Sequence, residues 1–317
     1  MAGVGLAVAA APAKAETEIN FGIISTESSS NLKKVWDPFL AAMQKQTGLK
    51  VKGFFASDYA GVIEAMRFNK VQIAGFGNKS AMEAVDRSSG EIFAQSVDKD
   101  GNPGYWSHII VHKDSKFTKL DDILKCDKSL NFGIGDPNST SGFLVPTTFI
   151  FSAKNIDPKA CFKTVRNANH EANALAVANK LVDAASNNSE SLARIEKTAP
   201  DKRKNIRVIW TSPLIPSDPI VWRKDLDAGL KKKLSDFFFS YGTKDAGEKA
   251  VLAGLGWAPF KKSSNDQLLP IRQMEVNKKI AKIKSDTKLS DADKAKAIGP
   301  LQQKFAELGK QIESMKK

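Results

Sequence analysis

Cysteine and histidine are scarce in this chain, with two and three copies in 317 residues. A zinc site closed by Cys and His side chains is therefore hard to assemble. His108 and His112 have the spacing of two ligands on one helix face, but "YWSHIIVHK" is aromatic and β-branched and reads as a strand. Four residues of strand span about 13 Å, so the pair cannot share one ion. The nucleotide signatures are missing as well. "GIGDPN" opens like a dinucleotide turn but lacks the third glycine, and no GxxxxGK(S/T) loop occurs. No GxSxG nucleophile elbow occurs either. No cofactor is called for. Beyond the opening residues, no apolar run is long enough to cross a bilayer.

What is present begins with that opening. "MAGVGLAVAAAPAKAE" holds a run of about twelve mostly small apolar residues that ends in the small-x-small pattern Ala13-Lys14-Ala15. The run is too short for a transmembrane helix and predicts a signal peptide over residues 1–15, cut before Glu16. Export changes the reading of Cys126 and Cys161, which each precede an expected strand. An oxidising compartment permits a disulfide between them, and two free thiols satisfy the sequence as well.

The net charge of +13 raises the question of a nucleic-acid or anionic-membrane partner. Its distribution argues against one. Residues 261–317 hold 14 Lys and Arg against 7 Asp and Glu, about half of the excess. Elsewhere the basic residues are scattered without the interleaved aromatics of a single-strand binder.

Short apolar strands alternate with helix-length segments almost throughout. "INFGII", "VKGFFA" and "VQIAGFG" are each followed by a helical segment, the pattern of a parallel sheet covered by helices. "EIFAQSV" and "YWSHIIVHKD" follow as strands, and a second series opens at "LNFGIGD" and runs to "NIRVIWTSP". "HIIVHKDSKFTKLDDIL" and "PIVWRKDLDAGLKKKL" resemble each other, each a strand followed by Lys-Asp and a helix, at either end of that series. If both cross between lobes, lobe 1 comprises residues 16–111 with 220–262, and lobe 2 comprises 112–219. Two lobes joined by two strands enclose a cleft that can hinge shut on a ligand.

Residues 263–317 form a helical C-terminal tail. Ile298, Leu301, Phe305, Leu308, Ile312 and Met315 follow a three-four spacing, a single apolar seam. Ser290 with Asp293 resembles a capping box, and Gly299-Pro300 predicts a kink or restart. The seam must be covered by the body, by the helix around Val276, Ile280 and Ile283, or by a second copy in a homodimer. Packing within the chain is the favoured reading.

"NFGIGDPNSTSGFLVP" is the most informative stretch. It sets Ser139, Thr140 and Ser141 side by side before Gly142, at a strand-to-helix turn. One hydroxyl would cap a helix. Three point to something bound there, since a helix N-terminus offers free N–H groups and partial positive charge to an anion.

The order of "NFGIISTES", "FFASDYAGVIEAMRFNKVQIA", "GNPGYW", "GDPNSTSGFLVP", "HEANALAVANKLVDAASNNSE" and "SPLIPSDPIVWRKDL" resembles the phosphonate-binding proteins of bacterial ABC transporters, over roughly residues 19–260. The resemblance implies an α/β, two-lobe periplasmic-binding-protein fold of type II with two strand crossovers. It implies a periplasmic receptor that hands phosphonates to an ABC permease and is not an enzyme. Residue by residue, it puts the phosphonate oxygens on Ser139, Thr140 and Ser141, with Tyr59 and Tyr105 as the opposite wall and His170 on the oxyanion side. It puts Glu190 and Asp218 on the ligand's amine, which makes 2-aminoethylphosphonate the expected ligand. One departure stands out. Where relatives carry a bulky aromatic pair after "IA", this chain has Gly75-Phe76, so the pocket wall is expected to be looser there.

Three rivals remain. A phosphate or phosphite receptor would have no use for two acids. A phosphonate hydrolase with Ser139 as nucleophile has no recognisable metal set. A scaffold protein acting through the basic tail is the third.

Overall fold

The computed structural model describes residues 17–315, so the expected leader over residues 1–15 lies outside the described residues. The first lobe starts as expected, with β1 (Glu18–Ile23), α1 (Ser29–Thr47), β2 (Lys50–Phe55), α2 (Tyr59–Arg67), β3 (Ile73–Gly75) and α3 (Asn78–Arg87), then β4 (Gly90–Asp98). Local chemistry sets the ends of α1. Ser28 accepts from the Asn31 N–H at its start, and Gly48, at a φ of 65°, closes it in the left-handed region. β1 pairs in parallel with both β2 and β3.

The crossover is a two-residue strand, β5 (Gly104–Tyr105). The next strand, β6 (Ser107–His112), already pairs with strands of the second sheet. Residues 107–111, expected in lobe 1, therefore belong to lobe 2. The second lobe continues through β7 (Asn131–Ile134), two π-helical turns (Thr140–Leu144 and Thr147–Ser152), α4 (Pro158–Cys161), β8 (Thr164–Asn167), α5 (His170–Ala178), β9 (Ala184–Asn188), α6 (Ser189–Thr198), α7 (Pro200–Arg203) and β10 (Ile206–Thr211). Its sheet order is β10-β6-β9-β7-β8.

The return passes through β11 (Ile215–Pro216), which pairs antiparallel with β5 and makes a small two-stranded link between the lobes. β12 (Pro219–Arg223) then inserts between β3 and β4, antiparallel to both. After α8 (Ala228–Ser240) and α9 (Ala246–Leu255), β13 (Trp257–Lys262) completes the order β13-β4-β12-β3-β1-β2. Both sheets are thus mixed. Phe21, Trp36, Phe39, Phe237, Phe238 and Phe260 form an aromatic core on one face of the first sheet.

The last two helices, α10 (Leu269–Ser285) and α11 (Asp291–Ser314), are less separate than a tail. Leu268 and Ile271 are fully buried in the first lobe's second core, with Val62, Ile63 and Val71. Burying two such side chains contributes about 3–6 kcal/mol. Farther along α10, Lys278 lies over the Phe143 ring of lobe 2 at 5.9 Å. The start of the expected tail is therefore a brace across both lobes. The apolar seam packs within the chain. Ile298 and Leu308 are buried against Val276 and Ile280, while Phe305 and Met315 stay exposed. Ser290 and Asp293 form their cap, and α11 runs on through Pro300 as one helix. Among the described residues no helix is long and apolar enough to cross a membrane.

Candidate ligand site between the lobes

β7 ends directly beneath the hydroxyl-rich turn. A Cβ on Gly135 would sit 2.6 Å from the Gly142 backbone, so glycine is what lets strand and turn touch. The Gly135 N–H donates to Gly142 O at 2.9 Å, and Ser186 Oγ donates to the same oxygen at 2.6 Å. Ser139 caps the turn by accepting from the Gly142 N–H at 3.0 Å. The turn expected to open a helix is π-helical, with Leu144 N–H reaching back to Ser139 O at 3.1 Å. Such turns recur where a backbone is shaped for function.

Ser139, Thr140, Ser141 and His170 are each 2% exposed. Asn188, the N-cap of α6, donates from Nδ2 to Ser141 Oγ at 2.9 Å and to His170 Nε2 at 3.3 Å. His170 Nε2 also lies 3.4 Å from Ser139 Oγ. Burial, helped by the Arg194 charge, pulls the His170 pKa down to about 3, so the ring is neutral. Its Nδ1 is buried without a hydrogen-bond partner. A Ser–His pair with no carboxylate behind it, and so low a basicity, is poorly built for nucleophilic attack.

The facing wall comes from the first lobe and the crossovers. Tyr59 opens α2, and its hydroxyl pairs with Ser139 across the cleft. Tyr105 lies on β5; its hydroxyl donates to Asp218 Oδ1 at 2.9 Å and also meets Thr140. Burial pushes both phenols upward, with the Asp218 charge adding to it at each. Asp218 stands just before β12 and accepts a second bond from Asn78 Nδ2 at 3.1 Å. A Cβ on Gly77 would lie 3.3 Å from Thr140 Oγ1 and 3.8 Å from Asp218 Oδ2. The hydroxyl turn and the carboxylate are thus a short ligand's length apart.

Glu190, in the first turn of α6, shares one cavity with Asp218. Both sit deep in the molecule while keeping part of their surface open to that cavity. Burial raises the Asp218 carboxyl well above the usual range, and the Glu190 charge adds to the effect. Burial also raises Glu190, opposed by Arg194. Arg194, one turn further along α6, is held by Glu27 of the first lobe. That guanidinium is already engaged, so the acid pair is left short of a cation.

Other bonds also join the lobes. Lys79 N–H donates to Thr140 Oγ1 at 2.8 Å, and Tyr59 N–H to Asp136 Oδ2 at 3.2 Å. Glu171 accepts from Ser28 N–H at 2.8 Å and from Asn31 Nδ2 at 2.5 Å. The lobes are closed on each other.

The eight expected residues thus meet where the two lobes touch, and of them Glu190 and Asp218 line the cavity there. Sequence reasoning missed Asn188, Arg194, Glu27 and Asn78. Asn188 carried a signal, an Asn-Ser-Glu step from strand to helix that fits an N-cap, and Arg194 lies on the Glu190 face at i+4. Glu27 and Asn78 had none, since their partners are distant in sequence.

The sequence profile of the family described as ABC transporter, phosphonate, periplasmic substrate-binding protein matches residues 21–268. The phosphonates-binding periplasmic protein of Escherichia coli is 55% identical over 300 residues, 94% of this chain and 88% of that protein. The phosphate-import protein PhnD of Mycolicibacterium smegmatis is 32% identical over 69% of this chain and 70% of its own length. Among solved structures, a binding-protein component of an ABC phosphonate transporter from Pseudomonas aeruginosa superposes with a TM-score of 0.93 at 54% identity, covering 95% of this chain and 100% of that one. The chain belongs to the periplasmic substrate-binding proteins of phosphonate ABC transporters.

Proposed function

We propose that this receptor captures 2-aminoethylphosphonate, with the phosphonate against Ser139, Thr140 and Ser141 and the ammonium against Glu190 and Asp218. The observation that carries the reading is the pair of enclosed carboxylates, short of a cation, a few ångströms from a hydroxyl cradle. An anion alone gains nothing from two carboxylates, whereas a zwitterion satisfies both ends. Tyr59 and His170 flank the anion end, and Tyr105 sits between the two ends. Both lobes contribute contacts, so the ligand favours the closed state by its differential affinity. The leader over residues 1–15 fits delivery to the periplasm, where the closed receptor meets its permease. Phosphate is the second reading, favoured by the name of the Mycolicibacterium relative and opposed by the acid pair.

Melting curves test the ligand. At a hundredfold excess over its Kd, 2-aminoethylphosphonate should add about 2.7 kcal/mol, and at equal concentration ethylphosphonate and phosphate should add less. The pH dependence has a definite sign. In the empty protein the raised carboxyls favour the fold when protonated, and that contribution is lost as pH rises through their folded-state values. An ammonium stabilises the charged forms instead. The advantage of the amine ligand over ethylphosphonate should therefore widen as pH rises from the ordinary carboxylate range through the raised values of Glu190 and Asp218. Equal stabilisation by phosphate, or an advantage that shrinks with pH, contradicts the assignment.

Thr140→Val tests the anion end. It removes a donor to a charged group, worth about 1.5–3 kcal/mol, and leaves the Lys79 N–H without its partner across the lobes. Calorimetry should show roughly a tenfold to 150-fold loss for every phosphonate tested, largely restored in Thr140→Ser. Unchanged affinity would remove the hydroxyl from the account.

A further inference from the structure

The cleft does not end at the two carboxylates. One cavity of about 70 Å³ is lined by Glu190, Asp218 and Arg194 together with Leu32, Trp36 and Trp257. A single enclosed water needs only about 10–15 Å³, so this space takes several heavy atoms. Trp36 and Trp257 meet edge to face, with centroids 5.3 Å apart and planes at 83°, and form an indole corner. Gly75 also lines the space. A Cβ there would sit 3.3 Å from Trp36 Cη2 and 3.8 Å from Ile220 Cδ1, so the missing side chain is what keeps the corner open.

We infer that this annex receives N-methyl groups, so that the receptor takes N-methylated aminoalkylphosphonates, up to the trimethylammonium form, alongside the primary amine. The inference rests on the amine-end assignment made above. A primary ammonium has three N–H donors to satisfy. Asp218 Oδ1 already accepts from Tyr105 and Asn78, and Glu27 is held by Arg194. Beside these carboxylates the same cavity is lined by hydrocarbon and indole. An N–H pointing there is desolvated without an acceptor. A methyl group pointing there gives up no hydrogen bond and buries apolar surface. A quaternary ammonium keeps its charge for the carboxylates and is attracted to indole faces.

The test is calorimetric titration of the native protein, Gly75→Ala and Gly75→Leu with four ligands. These are 2-aminoethylphosphonate, its N-methyl and N,N,N-trimethyl derivatives, and ethylphosphonate. On the native protein the trimethyl ligand should bind within about tenfold of the primary amine and more tightly than ethylphosphonate. Gly75→Leu, which fills the annex, should weaken the trimethyl ligand by about thirtyfold or more relative to its effect on the primary amine. If Gly75→Leu does not fold, Gly75→Ala should show a smaller loss with the same selectivity. A trimethyl ligand about a hundredfold or more weaker than the primary amine on the native protein would overturn the annex and leave the amine-end assignment standing. Equal losses for both ligands in the Gly75 variants would overturn it too. A primary amine that binds no better than ethylphosphonate would overturn the amine-end assignment, and the annex with it.

Discussion

Glu190→Gln and Asp218→Asn should each weaken 2-aminoethylphosphonate by about 2–5 kcal/mol, roughly thirtyfold to several thousandfold, while leaving ethylphosphonate equal or tighter. The substitutions keep size and most hydrogen bonding and delete one negative charge each. For the amine ligand, that charge is half of what holds the ammonium in a poorly hydrated cleft. For ethylphosphonate it is a carboxylate with no cation to meet, and its removal relieves a cost. The opposed response follows from the arrangement, because burial already disfavours both charges in the empty protein, and at Asp218 the Glu190 charge adds to it. Calorimetry of two ligands on two variants reads it. Parallel losses would mean that the acids support the lobes or their closure and not the amine.

The disulfide is the second large effect. Cys126 and Cys161 are bonded, 35 residues apart in sequence. In the chain-entropy account, closing that loop contributes about 3–4 kcal/mol. The double Cys126→Ser, Cys161→Ser variant should lose about that much in a denaturant titration, yet keep phosphonate affinity. The separation of the two effects is topological. Both cysteines precede β7 and β8, whereas the hydroxyl turn follows the other end of β7. Phe132 and Phe162, stacked at 4.6 Å, keep packing the bridged end without the bond. The intact protein should weigh two hydrogens less than its reduced form. Two alkylatable thiols in the exported protein would contradict the bridge.

Much of this architecture was legible because its signals are local. Alternating apolar strands and capped helices give the βα units, and three adjacent hydroxyls at Ser139–Ser141 mark the turn that the structure buries between the lobes. What escaped depends on contacts between distant segments. The likeness of "HIIVHKD" to "PIVWRKD" points to a lobe boundary at His112, yet only the second belongs to the first sheet. The real crossover, Gly104–Tyr105 against Ile215–Pro216, is too short to have a periodicity. The tail showed its apolar spacing but not its partner, so the docking of Leu268 and Ile271 into the first lobe could not be read. Glu27 and Arg194 lie 167 residues apart, and nothing in either neighbourhood hints at the other. The π-helical turn has the same composition as an α-helical one; only its hydrogen-bond register differs.

A crystal structure of the complex with 2-aminoethylphosphonate tests the central claim most directly, because it reads the ligand's direction. The phosphonate oxygens should lie within hydrogen-bond distance, about 2.6–3.2 Å, of Ser139, Thr140 and Ser141. The ammonium nitrogen should lie within the same reach of Glu190 and Asp218, between closed lobes. A ligand bound the other way round, or an ammonium turned to solvent with the two carboxylates untouched, would contradict it.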